Sequence, residues 1–192
     1  FDTVAFKHVI ANGLVLDKNG NKMSKRLGNA VNPFDVIEQY GPDATRWYMI
    51  SNANPWDNLK FDANGILDVQ RKFFGTLSNT YSFFALYANL DVFNFKNKVI
   101  AATEKTESDL WIISRLNSII REVDQYYDDY EPTKAARAIQ SFAVNDLSNW
   151  YVRLNRKRFW IGDYNQNKED AMAWVKKQQR RQESGGIMQG GG

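Results

Sequence analysis

Three stretches in which apolar residues recur every three or four positions fill most of the sequence after residue 62. They limit the fold more than any other feature. From about 63 to 89, Ile66, Phe73, Phe74, Leu77, Tyr81, Phe84 and Tyr87 fall three, four or seven apart, the spacing of one helix face. A helix that long spans about 40 Å, and its stripe can be buried only against other helices. Trp111, Ile112, Leu116, Ile119, Val123 and Tyr127 form a second stripe after a polar connector at 94–107. Ser108 is its expected N-cap, with Asp109 at the positive end of the helix dipole. Glu131-Pro132 breaks that helix. Ile139, Ala143, Leu147, Trp150 and Leu154 then mark the inward face of a third, running to about 159. Three long amphipathic helices with short links predict an antiparallel bundle.

The first 62 residues read differently. "VAFKHVI" (4–10) and "LVL" (14–16) have strand composition, and Asn12-Gly13 between them suits a tight hairpin turn. "DKNGN" (17–21) signals a second turn. Asn32 followed by Pro33 starts a short helix that Gly41 ends, and Pro42-Asp43 starts another. Asp43 and Arg46 read as capping and pairing residues of that corner. "NANPWDNLKFD" (52–62) reads as loop, with Trp56 packing it between the two units. The fold class expected is mainly α: a small α/β unit at 1–62, a helical bundle at 63–175, and a tail at 176–192.

Six tryptophans and an aromatic content of 14% exclude a disordered chain. A net charge of +3 does not by itself announce a nucleic-acid binder. The absence of cysteine excludes disulfides, Cys-ligated zinc and a cysteine nucleophile, and His8 is the single histidine, so no metal site is expected. No apolar run approaches the roughly 18 residues of a membrane helix. No signal peptide is evident, and a cytoplasmic, monomeric protein is expected. A start at Phe1 and the polar, glycine-ended "KKQQRRQESGGIMQGGG" lead us to expect a piece of a longer protein. The end of that piece would be disordered or non-native.

Between the first two turns and the first helix stands "NGNKMSKRLGN" (19–29), where Lys22, Lys25 and Arg26 surround Ser24 and glycines bracket them. Lysine is a compact, mobile cation, suited to an anion whose charge moves as phosphoryl or nucleotidyl transfer proceeds. On these residues alone a solvated surface loop is the better reading. A second cationic stretch, "NWYVRLNRKRFW" (149–160), carries Arg153, Arg156, Lys157 and Arg158 within six positions, with no acid nearby in sequence. Arg153, Arg156 and Lys157 share a helix face. Such a face suits RNA backbone phosphates, or is simply solvated. The aromatic series Phe73, Phe74, Tyr81, Phe83, Phe84 and Tyr87 is expected to be core rather than a base-stacking platform.

The segment from Asn12 through "KMSKRLGNAVNPFDVIEQYGPDATRWYMI" resembles the region around the KMSKS loop of class I aminoacyl-tRNA synthetases. "NPWDNLKFD", "RKFFGTLSNTYSFFALYANLDVF" and "LSNWYVRLNRKRFW" resemble the isoleucyl branch of that family, with the valyl and leucyl branches as alternatives. A stand-alone RNA-binding helical module is the alternative outside the family. The resemblance covers about residues 1–165 and departs from KMSKS at Arg26. It implies a ligase in which an amino-acid carboxylate attacks the α-phosphate of ATP and the aminoacyl group passes to tRNA. Lys22 and Lys25 would then stabilise the departing pyrophosphate, and Met23, Ser24 and Arg26 would complete the ATP-binding loop. Arg153, Arg156, Lys157 and Arg158 would contact tRNA(Ile). ATP, Mg2+ and isoleucine would meet mainly in parts of the enzyme outside this sequence. The sequence taken alone is expected not to form aminoacyl-adenylate.

Overall fold

The computed structural model describes residues 3–92 and 105–160. The expectations for 94–104, for the end of the bundle at 161–175 and for the tail at 176–192 lie outside them. Among the described residues the protein is mainly helical, with one small parallel sheet in which β1 (Val15–Leu16) pairs with β2 (Leu59–Lys60).

This sheet corrects the expected hairpin. Residues 4–10 form no strand, and Val4, Phe6, Val9 and Ile10 are exposed. The Asn12-Gly13 turn is absent: the Gly13 N–H donates to the Pro55 carbonyl at 2.8 Å. The partner of β1 comes from 52–62, a stretch whose turn residues hid a two-residue strand. Leu59 and Phe61 N–H donate to the Leu14 and Leu16 carbonyls, each at 2.9 Å. Asp17–Asn21 does turn as expected, and the chain returns through a single antiparallel bridge between Leu16 and Lys22.

α1 (Pro33–Tyr40) and α2 (Pro42–Asn52) form as read. Asn32 caps the first by accepting from the Phe34 N–H at 3.1 Å. Gly41, at φ 81°, turns the corner in a region closed to most side chains. Val36, Ala44, Tyr48, Leu59, Phe61, Ile66 and Val69 make the core that joins these helices to the sheet. Tyr48 is its polar pin: its hydroxyl donates to the Lys60 carbonyl at 3.0 Å and accepts from the Asp62 N–H at 3.1 Å. Burial raises its pKa.

α3 (Ala63–Val69), a π turn (Gln70–Phe74) and α4 (Gly75–Leu90) are one continuous rod. A second rod is α5 (Glu107–Asp128). A third runs through α6 (Pro132–Ser141), a π segment (Phe142–Val152) and α7 (Arg153–Trp160). The π stretches correct the inward stripes. An i→i+5 turn adds a residue without adding a turn, so every position beyond it rotates by about 100°. After the first, Thr76, Thr80, Phe83 and Tyr87 are half-buried, while Leu77, Tyr81 and Phe84 are exposed. From the end of the second onward, Tyr151, Val152, Asn155 and Phe159 face inward and Trp150 and Leu154 are 58% and 64% exposed. The second rod's cap is Thr106, not Ser108. Thr106 and Asp109 close a reciprocal capping box, a pairing that satisfies two N-terminal amides at once.

Trp56 is 44% exposed. The tryptophan that ties the two halves together is Trp47, which stacks on Phe73 with centroids 4.5 Å apart and donates to Gln140 at 3.0 Å.

Candidate functional site

The cationic loop has a rigid base and an exposed tip. Asp17 closes the base, its Oδ1 accepting from the N–H groups of Asn19 and Asn21 at 3.0 and 2.8 Å. Asn29 then bridges the two arms. Its Oδ1 accepts from the Ser24 N–H at 2.9 Å, and its Nδ2 donates to Asp17 Oδ2 at 3.0 Å and to the Lys22 carbonyl at 3.3 Å. The Asn29 amide, then the Asn21 N–H, hold the Asp17 carboxyl below its ordinary pKa. Beyond this clasp the chain makes a single 3₁₀ turn, Lys25–Leu27, closed by Gly28 at φ 67°.

Lys25 and Arg26 are exposed on that tip and Lys22 on the clasped arm before it, bridged to Leu16, while Met23 and Ser24 are half-buried. Ser24 begins the 3₁₀ turn, but its hydroxyl makes no capping bond. Met23 points the other way, packing against the core and bordering a cavity of about 270 Å³ with Val15, Val31, Val36, Met49 and Phe61. Alternation therefore divides the motif: cations outward, methionine into an apolar seat. Such an arrangement lets a short loop carry charge to an anion without losing its attachment.

The second cationic stretch is split by its helix. Arg153 and Arg156 border one groove of about 350 Å³ between α4 and the third rod, with Asn79, Thr80, Phe83 and Asn149. The Arg156 guanidinium lies 5.8 Å from the Phe83 ring centre. Lys157 is exposed beside them. Arg158 turns to the opposite side and makes a two-pronged pair with Asp109, Nη1–Oδ1 at 2.7 Å and Nη2–Oδ2 at 2.8 Å. The reading of four cations without an acid is thus corrected, because Asp109, distant in sequence, is adjacent in space. The Tyr151 hydroxyl also donates to Asp109 at 2.7 Å. These donors, led by Arg158, hold the Asp109 carboxyl well below the usual carboxylate range. Burial and the Asp109 charge push the Tyr151 phenol up to about 12.

The structure thus brings Lys22, Met23, Ser24, Lys25 and Arg26 onto one clasped loop, and Arg153 and Arg156 onto one groove. Asn29 and Asp17 were not foreseen. Asp17 carries a local signal, the "DKNGN" turn, whereas Asn29 has none because its partners lie 5 to 12 residues away. His8 meets Tyr130 in a tilted ring contact, centroids 4.8 Å apart. No group of three metal-ligating side chains exists among the described residues, and none of their helices is long and apolar enough to cross a membrane.

Comparison with known proteins accords with this geometry. Residues 1–62 match tRNA synthetases class I (I, L, M and V), and residues 109–178 match the anticodon-binding domain of tRNA ligase. The isoleucine–tRNA ligase of Cytophaga hutchinsonii is 70% identical over 171 residues, 89% of this chain and 15% of that protein. The isoleucine–tRNA ligase of Bacteroides fragilis is 65% identical over the same shares. That of Thermus thermophilus is 44% identical over 90% of this chain and 16% of its own. The chain therefore spans about 15% of the length of the curated relatives it matches. Two solved structures share the fold. The leucyl-tRNA synthetase of Agrobacterium radiobacter K84, in complex with tRNA and LeuAMS, gives a TM-score of 0.59 at 22% identity over 77% of this chain and 18% of its own. Mycobacterium tuberculosis methionyl-tRNA synthetase bound by methionyl-adenylate gives 0.62 at 18% identity over 84% and 30%. By these matches the chain is similar over most of its length to isoleucine–tRNA ligases, its first 62 residues resembling the class I tRNA synthetases and its residues 109–178 their anticodon-binding domain.

Proposed function

We propose that this chain is the part of an isoleucine–tRNA ligase that closes on ATP and grips the tRNA. Residues 1–62 would end the catalytic core and 63–175 would belong to the antiparallel anticodon-binding bundle. In the activation step a carboxylate oxygen of isoleucine bonds to the α-phosphorus of ATP. The bond from that phosphorus to the bridging oxygen breaks, and pyrophosphate leaves with the electron pair. Negative charge grows on the departing group, and fixed cations beside it lower the barrier. Lys25, on the exposed turn, and Lys22, on the arm that Asn29 clasps, supply those cations. The Ser24 hydroxyl and Arg26 add donors, and Met23 keeps the loop seated. Magnesium accompanies ATP in this chemistry. No described residue is assigned to it, since the acid nearest the motif in sequence, Asp17, is taken up by Asn21 and Asn29.

On the bundle, Arg153, Arg156 and Lys157 would meet tRNA backbone phosphates, while Arg158 holds the helix that presents them. The observation that carries the reading is the loop itself: outward cations on a clasped turn with an inward methionine, in a chain 70% identical to an isoleucine–tRNA ligase. Amino-acid-dependent ATP–pyrophosphate exchange by the full-length protein tests it. Isoleucine should support the fastest exchange, and the 192-residue chain alone should support none. Preference for valine or leucine, or exchange by this chain alone, would overturn the reading.

A further inference from the structure

One face of α6 is spent on the far end of α2. Thr133, Arg137 and Gln140, spaced four and three apart, lie along one stripe. The Thr133 hydroxyl donates to the Ala53 carbonyl at 3.0 Å. Arg137 donates from Nε to the Ser51 carbonyl at 2.8 Å and from Nη2 to the Asn52 carbonyl at 2.9 Å. Gln140 accepts from the Trp47 indole at 3.0 Å. The last carbonyls of any helix lack intrahelical partners, and here a second helix supplies them in place of water. A cation at that end also suits the helix dipole. Ala135 and Ala136, 0% and 3% exposed, permit the close approach, and Thr133 is itself 0% exposed.

The same α2 walls the seat of the nucleotide loop. Thr45 and Met49 border the cavity beside Met23, and Met49 lies within one turn of Ser51 and Asn52. Packed interiors pass displacement on rather than absorb it. Met23 packs against the core to which Ala44 and Tyr48 of α2 belong, so a shift at the end of α2 moves the surface against which Met23 rests.

We propose that Thr133, Arg137 and Gln140 are positioning residues for the cationic loop, through which the helical bundle fixes, by way of α2, the pose in which Lys22 and Lys25 meet the triphosphate. The proposal rests on the ligase reading above. It adds that the activation step, which does not require tRNA, depends on contacts made by the bundle.

The test uses the full-length ligase with Thr133→Val, Thr133→Ser and Arg137→Gln, alongside Lys22→Ala/Lys25→Ala. Isoleucine-dependent ATP–pyrophosphate exchange is measured without tRNA and normalised to titrated active sites, together with tRNA affinity and melting temperature. Small misplacements remote from the chemistry can cost up to about a hundredfold. Thr133→Val and Arg137→Gln should lower kcat about tenfold with the ATP KM nearly unchanged, the split expected when stabilisation is removed from the transition state alone. Their tRNA affinity should stay as in the parent. Thr133→Ser, which restores the hydroxyl, should recover the rate. If kcat per active site is unchanged while melting temperature falls, the contact is a structural prop and the proposal is overturned. A rise in ATP KM alone, or a loss confined to tRNA affinity, overturns it too. Should the double lysine variant exchange at the parent rate, the ligase reading of the loop fails; if only that variant is slow, this inference alone fails.

Discussion

Replacing Asp109 with Asn probes the knot that fastens the start of α5 to the end of the third rod. Asp109 Oδ1 receives Arg158 and Tyr151, both at 2.7 Å. Oδ2 receives Arg158 at 2.8 Å, the Thr106 hydroxyl at 2.9 Å and the Thr106 N–H at 3.1 Å. The aspartate side chain is 14% exposed and the arginine 46%. Hydrogen bonds to a charged partner contribute about 1.5–3 kcal/mol each when sheltered, and exposed ion pairs about 0–1. A pair sheltered on one side only falls between, so Asp109→Asn should cost about 2 kcal/mol at pH 7. The folded carboxyl ionises below its ordinary value of 3.8. Its contribution is therefore complete above about pH 5 and is lost as pH falls through the unfolded and then the folded pKa. The gap between parent and variant should narrow on acidification below about pH 4. Equilibrium urea unfolding followed by tryptophan fluorescence measures it. With m near 2 kcal/mol/M, the midpoint should fall by about 1 M. An unchanged midpoint at pH 7, or a gap that widens in acid, refutes this account of the knot.

Other substitutions report on separate parts. Arg153→Gln and Arg156→Gln together should weaken tRNA binding by the full-length ligase and flatten the plot of log affinity against log salt by about one unit for each phosphate no longer neutralised. Arg158→Gln should leave that slope alone and lower stability instead; an equal flattening contradicts the division of the cationic stretch. Gly65→Ala places a methyl group against the Tyr48 ring, so overpacking of about 1–3 kcal/mol should appear in the urea midpoint. A neutral Gly65→Ala would show that Tyr48 yields. Asn29→Ala frees both arms of the loop and should slow adenylate formation by the full-length ligase while leaving tRNA affinity unchanged; weakened tRNA affinity would place Asn29 elsewhere in the mechanism.

Local signals were legible where their partners are local. Asn32-Pro33, Gly41-Pro42 and Glu131-Pro132 place helix ends correctly because capping and proline sterics act within a few residues. The cap of the second rod was misread as Ser108 although its signal was present, since Thr106 and Asp109 stand three apart, the spacing of a capping box. The parallel pairing of Val15–Leu16 with Leu59–Lys60 was not, since its partners lie 44 residues apart and Asn12-Gly13 gives a misleading hairpin signal. Apolar periodicity found all three rods yet misplaced Leu77, Tyr81, Phe84, Trp150 and Leu154, where two π stretches break the count of 3.6 residues per turn that it assumes, and also Leu116 and Tyr127, which are exposed on the regular helix α5. The loop was visible as residue types, and its clasp was not. Nothing near Asn29 announces a bridge, and nothing near Thr133 or Arg137 announces that they complete another helix.

Rapid-quench measurement of a single turnover of isoleucyl-adenylate formation, with saturating ATP and full-length ligase in excess, addresses the loop cations most directly. Removing one preorganised donor from a developing anion commonly costs about 10²–10³ in rate. Lys25→Ala should therefore slow the chemical step at least about a hundredfold while ATP still binds, and Lys22→Ala added to it should slow it further. A chemical step as fast as the parent's in the double variant would contradict the assignment of these cations to the departing pyrophosphate.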